Sequence, residues 1–110
     1  MDEVVLLYTT WPDAETAEAA ATEAVEARLA ACANILGPMR SIYRWQGAVE
    51  HAHEIPVLFK TTVAAAPELT RRIVARHPYD TPAVVALSAG EAGSHPPFLQ
   101  WIRAEVGGDR

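Results

Sequence analysis

Ser41-Ile42-Tyr43-Arg44-Trp45-Gln46-Gly47-Ala48-Val49-Glu50-His51-Ala52-His53-Glu54-Ile55-Pro56-Val57-Leu58-Phe59-Lys60-Thr61-Thr62 is the stretch that decides how this chain folds. Met39 to Trp45 has β character, with Ile42, Tyr43 and Trp45, and Gln46-Gly47 suits a tight turn because Gly accepts positive φ. The return arm alternates with period two. Val49, His51, His53, Ile55, Val57 and Phe59 share one face; Glu50, Ala52, Glu54, Pro56, Leu58 and Lys60 share the other. Pro56 lacks an N–H, so it is expected at an unpaired edge or a bulge. The hairpin is longer than a small domain needs, so its tip projects past any helix that covers the sheet. That tip carries Tyr43, Trp45 and Val49. Two readings apply: packing across the ribbon itself, or an interface with another chain, the reading preferred here because aromatic anchors dominate interfaces.

Upstream, Val4 to Thr10 is a short run of β-formers that reads as a central strand buried on both faces. Trp11-Pro12 closes it, and Asp13 is a good N-cap. Ala14 to about Ala31 is rich in Ala, Glu and Leu and predicts a helix with a stripe of small side chains. Cys32 to Leu36 starts a second strand, which Gly37-Pro38 bends or interrupts before Met39. Downstream, Pro67 to His77 predicts a second helix with Leu69 and Ile73 on one face. Ala83 to Leu87 reads as a short buried strand. Pro96-Pro97 opens a final helix whose apolar face is Phe98, Trp101 and Ile102, and Gly107 to Arg110 reads as a frayed end. The order is β-α-β-β-α-β plus a C-terminal helix. This is the α+β, ferredoxin-like pattern, with an extended hairpin between its second and third strands. The crossover rule puts both main helices on one face of a four-stranded antiparallel sheet.

Composition narrows the function. The chain has 110 residues, half hydrophobic and 21% charged, which fits one folded domain over residues 1–110 and excludes disorder. No apolar run is long enough to span a bilayer, and no membrane partner is expected. Met1-Asp2-Glu3-Val4 is acidic where a secretory leader is basic, and the single Cys32 suits a reducing cytoplasm. The net charge of −5 makes nucleic acid a poor partner. The nearest thing to a basic cluster, Arg71, Arg72 and Arg76, is diluted by Glu68.

Five segments carry a family resemblance. Arg28-Leu29-Ala30-Ala31-Cys32-Ala33-Asn34-Ile35, Ser41 through Gly47, Glu54 through Thr61, His77-Pro78-Tyr79-Asp80-Thr81-Pro82 and Phe98-Leu99-Gln100-Trp101-Ile102 occur in order along nearly the whole chain. Together they resemble the CutA divalent-cation tolerance proteins. The resemblance implies a ferredoxin-like subunit in a homotrimer whose long hairpins cross between subunits. It also implies a role in tolerance of copper and other divalent metals, no enzymatic activity and thus no catalytic residues, and a cytoplasmic setting. Its assembly is similar to that of PII signal proteins, whose subunit clefts bind small effectors.

Metal ligands are the first candidates. Some family members are described as ligating copper through a Cys at the end of the first strand and two adjacent His before Pro-Tyr. This sequence has Tyr8, Arg76 and His77 there, so only His77 carries over as a ligand for Cu2+ or another divalent cation; the alternative is a helix-end structural group. His51 and His53, at i and i+2, project to the same side and form a second, weaker pair; solvated or interfacial histidines are the bland reading. Cys32 has no base beside it in sequence and reads as a buried small hydrophobe. The second candidate is an intersubunit cleft of Trp45, Glu54, Lys60 and Tyr79 that could hold a small anionic ligand, Glu54 and Lys60 alternatively serving as interface ion pairs. Tyr43, Trp45 and Val49 are the expected trimer interface.

Overall fold

The computed structural model describes residues 2–107; Met1 and residues 108–110, most of the end read as frayed, lie outside them. The organising element is β4 (Ala48–Thr62). Along its inner half it pairs antiparallel on one side with β1 (Val4–Trp11), from Val4 opposite Thr62 to Trp11 opposite Ile55. On the other side it pairs with β2 (Cys32–Ile35), from Cys32 opposite Lys60 to Ile35 opposite Val57. Beyond the Gly37-Pro38 interruption, β3 (Met39–Trp45) continues along the same side of β4, from Met39 opposite Glu54 to Trp45 opposite Ala48. β5 (Val84–Ser88) closes the other edge on β1. The order β2-β4-β1-β5, with β3 extending the β2 edge, is the expected ferredoxin-like sheet. The outer half of β4 has β3 as its partner strand, so the two form the projecting ribbon.

Pro56 departs from expectation. It is buried in a central strand, opposite Thr10 of β1, and not at an edge. Its carbonyl accepts from the Leu36 N–H at 2.9 Å. In an antiparallel strand the N–H and C=O of one residue point to the same side. The missing donor of Pro56 therefore faces the break at Gly37-Pro38, where no ladder bond is lost.

The helices α1 (Ala14–Glu26) and α2 (Ala66–Arg76) cover one face of the sheet. Leu7, Trp11, Val57 and Phe59 meet Ala17, Ala20, Ala21 and Ala24 of α1 and Leu69 and Ile73 of α2 in the main core. Alanine lets α1 lie close to the sheet, and the large sheet side chains supply the buried area. The fully buried Trp11 donates its Nε1–H to Thr9 Oγ1 at 2.8 Å, and Thr9 passes its own hydroxyl to the Val57 carbonyl at 2.9 Å. No donor in that relay is stranded.

Asp13 caps α1 as expected, its carboxylate accepting from Thr16 N–H at 2.8 Å. The helix stops at Glu26 and does not continue to Ala31. Arg28 takes φ of +60°, Leu29 N–H reaches the Ala24 carbonyl and Arg28 N–H the Val25 carbonyl. This is a Schellman ending with arginine in the place glycine usually fills. The exchange is held by the Arg28 guanidinium, which donates to the Ala104 carbonyl at 3.2 Å, in the last turn of α3 (Pro96–Glu105). α3 packs Leu99 and Ile102 on Val4 and Ala31 as a second cluster, on the sheet face opposite α1 and α2.

That second face is otherwise open. Register places Leu87, Leu6 and Lys60 in one row and Val85, Tyr8 and Leu58 in the next. β5 is consequently not the buried strand the sequence implied: Val85 is 53% and Leu87 45% exposed. An apolar run signals burial only if both faces are covered, and here β5 is an edge strand over which one face stands open. Cys32 is half-buried on this face, and the register sets Lys60 directly opposite it.

Candidate functional site

The ribbon sorts its residues by face. Arg40, Ile42, Arg44, Val49, His51 and His53 fall on one side, and Ser41, Tyr43, Trp45, Glu50, Ala52 and Glu54 on the other. Basic and acidic groups are thus separated across a two-stranded sheet. The acidic, aromatic side is continuous with the open sheet face. Where it meets β1 and the loop before β5, a cleft of about 300 Å3 is lined by Tyr8, Tyr43, Trp45, Glu54, Tyr79 and Thr81. An adjoining recess of about 280 Å3 adds Glu50 and Asp80.

His77 positions the loop. It follows α2 as its C-cap, is buried, and stacks on Trp11 at 4.3 Å between ring centroids. Its Nδ1 accepts the Tyr79 N–H at 3.1 Å, which leaves Nε2 to carry the proton and donate to the Thr10 carbonyl at 2.7 Å. The Tyr79 ring lies 4.8 Å from the imidazole, and its phenol is turned toward Glu54. Burial, then the negative charge of Glu54, push the Tyr79 pKa above the usual tyrosine value of 10.0, with smaller contributions from Tyr43 and Asp13. The ionic groups lining the cleft and its recess are Glu54, Glu50 and Asp80.

The structure brings Trp45, Glu54 and Tyr79 together and leaves Lys60 out. Lys60 lies six residues along β4 from Glu54, about 20 Å at strand rise, with its Nζ 5.1 Å from the centre of the Phe98 ring. Glu54 and Lys60 of one chain therefore form no pair. His51 and His53 are exposed on the far side of the ribbon, where Arg40 sits opposite His53 and adds positive charge unsuited to a cation. Both nitrogens of His77 are committed to backbone groups, of Thr10 in β1 and of Tyr79 in the loop, and neighbouring Arg76 pairs with Glu23 of α1 at 3.1 Å. Among the described residues no three His, Cys, Asp or Glu side chains converge to hold a metal ion. The described side chains of one chain therefore offer no converging ligand set for a resident divalent cation. Tyr8 and Thr81 join the cleft without having been picked out for it. Tyr8 was legible in principle, since alternation from buried Leu7 puts it on the opposite face; Thr81 was not, because loops have no period.

Overlong ribbon, open sheet face and C-terminal helix together define a particular class of ferredoxin-like α+β subunit. Solved structures of that class superpose closely. CutA1 from the psychrotrophic bacterium Shewanella sp. SIB1 matches with a TM-score of 0.90 at 36% identity, covering 96% of each chain. The divalent cation tolerance protein from Thermus thermophilus matches with a TM-score of 0.86 at 46% identity, covering 97% of this chain and 100% of that one. A third, described as the periplasmic divalent cation tolerance protein CutA from Archaeoglobus fulgidus, gives 0.84 at 33% identity over 93% and 97%. The family described as CutA1 divalent ion tolerance protein matches residues 5–105, and this chain belongs to it.

Proposed function

We propose that this chain works as a homotrimer in the tolerance of copper or another divalent cation, by binding or signalling and without catalysis. The observation that carries the reading is the ribbon tip, where Tyr43 and Trp45 on one side and Val49 on the other are 41%, 48% and 58% exposed. Large apolar groups on a projecting ribbon favour a partner surface, and an identical chain offers one in the open sheet face. With no metal ligand set converging among the described residues of one chain, a cation site would draw on groups from more than one subunit. The single Cys32 supports a cytoplasmic setting. Sedimentation equilibrium from about 1 to 100 μM tests the assembly: a mass near three times the 11.9 kDa subunit is expected, and a folded monomer throughout would remove the reading. Cu2+ and Zn2+ titrated calorimetrically into the assembled protein then test direct binding.

A second reading, a small-molecule sensor related in plan to PII proteins, is favoured by the cleft around Trp45, Glu54 and Tyr79. In it the metal response is indirect. Effector-dependent protection of the Tyr79 loop in hydrogen exchange, absent with metal alone, would favour this reading over direct cation binding.

A further inference from the structure

The cleft beside the ribbon combines two properties that seldom serve the same ligand class. Its walls are aromatic, from Tyr8, Tyr43, Trp45 and Tyr79, and its ionic groups are all carboxylates. Glu54 lies within it, Glu50 and Asp80 flank it, and no Lys, Arg or His is among the lining residues. An anion would enter against this field and find no charged donor. A bare divalent ion wants several converging oxygen ligands, and no such convergence exists among the described residues. Aromatic faces with a carboxylate at hand suit a large, weakly hydrated organic cation, attracted by ring quadrupoles and neutralised by one acid.

We propose that the cleft between the ribbon and the loop from Tyr79 to Ala83 is a binding site for an organic cation, an alkylammonium or guanidinium group with Glu54 as counter-charge. The inference rests on reading the cleft as a ligand site and replaces the anionic occupant expected from sequence. The raised Tyr79 pKa, set first by burial and then by the charge of Glu54, is consistent with it. The cation has two possible sources. One is a free amine or guanidine; the other is Arg40 or Arg44 on the basic side of a second copy's ribbon.

Methylguanidinium, tetramethylammonium and citrate, titrated at constant ionic strength and followed by the indole N–H resonance of Trp45, test the proposal. The wild type and an Arg40→Ser, Arg44→Ser double variant are compared. Saturable shifts with the cations but not citrate in the wild type identify a free ligand. Shifts confined to the double variant identify the neighbour's guanidinium as the resident cation. Either result supports the site. Glu54→Gln, which preserves shape and hydrogen bonding, should weaken the cations about fivefold, the order expected for a partly exposed charge partner. If no cation binds either protein, or Glu54→Gln leaves the affinity unchanged, the proposal is overturned. Binding of citrate in place of the cations overturns the charge assignment while leaving a ligand cleft standing.

Discussion

Two hydrogen bonds and a ring stack hold His77 between α2 and the Tyr79 loop, at 2.7 Å to the Thr10 carbonyl, 3.1 Å from the Tyr79 amide and 4.3 Å from the Trp11 centroid. Removing the ring strands a buried carbonyl and loses the aromatic contact. His77→Ala should therefore lose about 2 to 4 kcal/mol of stability, measurable by urea unfolding. An unchanged midpoint would show that the imidazole is not structural. Tyr79 offers a second test at this scale. Its folded pKa lies above the unfolded value of 10.0, so the folded chain holds the phenol proton more tightly. Its contribution to stability is complete below pH 10 and declines as pH rises through the raised folded pKa. Glu54→Gln should move the tyrosinate absorbance midpoint at 295 nm down toward the ordinary value, since it removes the second-largest cause of the shift and leaves burial in place.

Elements are set by their ends. Gln46 and Gly47 turn the ribbon at φ of +50° and +83°, the two left-handed positions of a two-residue hairpin turn. Open space surrounds the position a Gly47 side chain would take, so a substitution there is penalised by backbone conformation alone. Gly47→Ala should lower stability by about 1 kcal/mol, while Gln46→Asn, a better left-handed residue, should raise the melting temperature slightly. Equal melting temperatures for the three proteins would mean that the ribbon tip is unfolded at the transition. α1 shows the same control at its C-terminus. Continuous helix-forming residues run on past Glu26, yet the chain turns where Arg28 trades left-handed strain for a bond to α3. Propensity marked where a helix could exist, and a contact 76 residues away decided where it stops.

The whole molecule is lopsided. α1 and α2 seal one side of the sheet, whereas α3 covers only the end of the other, leaving Val85, Leu87 and the stacked Phe98 and Trp101 at the surface. Val85→Lys with Leu87→Lys should leave the subunit's circular dichroism intact, because neither side chain is buried within its own chain. The same change should reduce the assembled mass in sedimentation, since it places two charges on the proposed interface. Retention of the full mass would exclude this face from the assembly and return attention to the ribbon alone.

Much of the architecture was legible because its causes are local. The period of two from Val49 to Lys60, the alanine-rich run after Asp13 and the punctuation at Gly37-Pro38, Gln46-Gly47 and Pro78 each act within a few residues. The right-handed crossover then leaves little freedom in how those pieces assemble. Family membership was legible for the same reason, since its motifs lie on those elements. The candidate site was legible only in part. Alternation assigns residues to one face or the other but cannot say which is covered, because the cover comes from helices distant in sequence. Hence β5 read as buried and stands exposed, and Pro56 read as lying at an unpaired edge or a bulge and sits in a central strand opposite Thr10. Likewise, Lys60 and Glu54 were read as meeting across a subunit boundary; within one chain, strand rise sets them about 20 Å apart along β4. His77 was read as a ligand or a structural group at the helix end, and alternation could not show that its ring lies against Trp11, Thr10 and Tyr79. Residue types and spacing determined the elements and their order; register and cross-chain packing, which depend on residues far apart in sequence, decided which side chains share a cleft and with what charge.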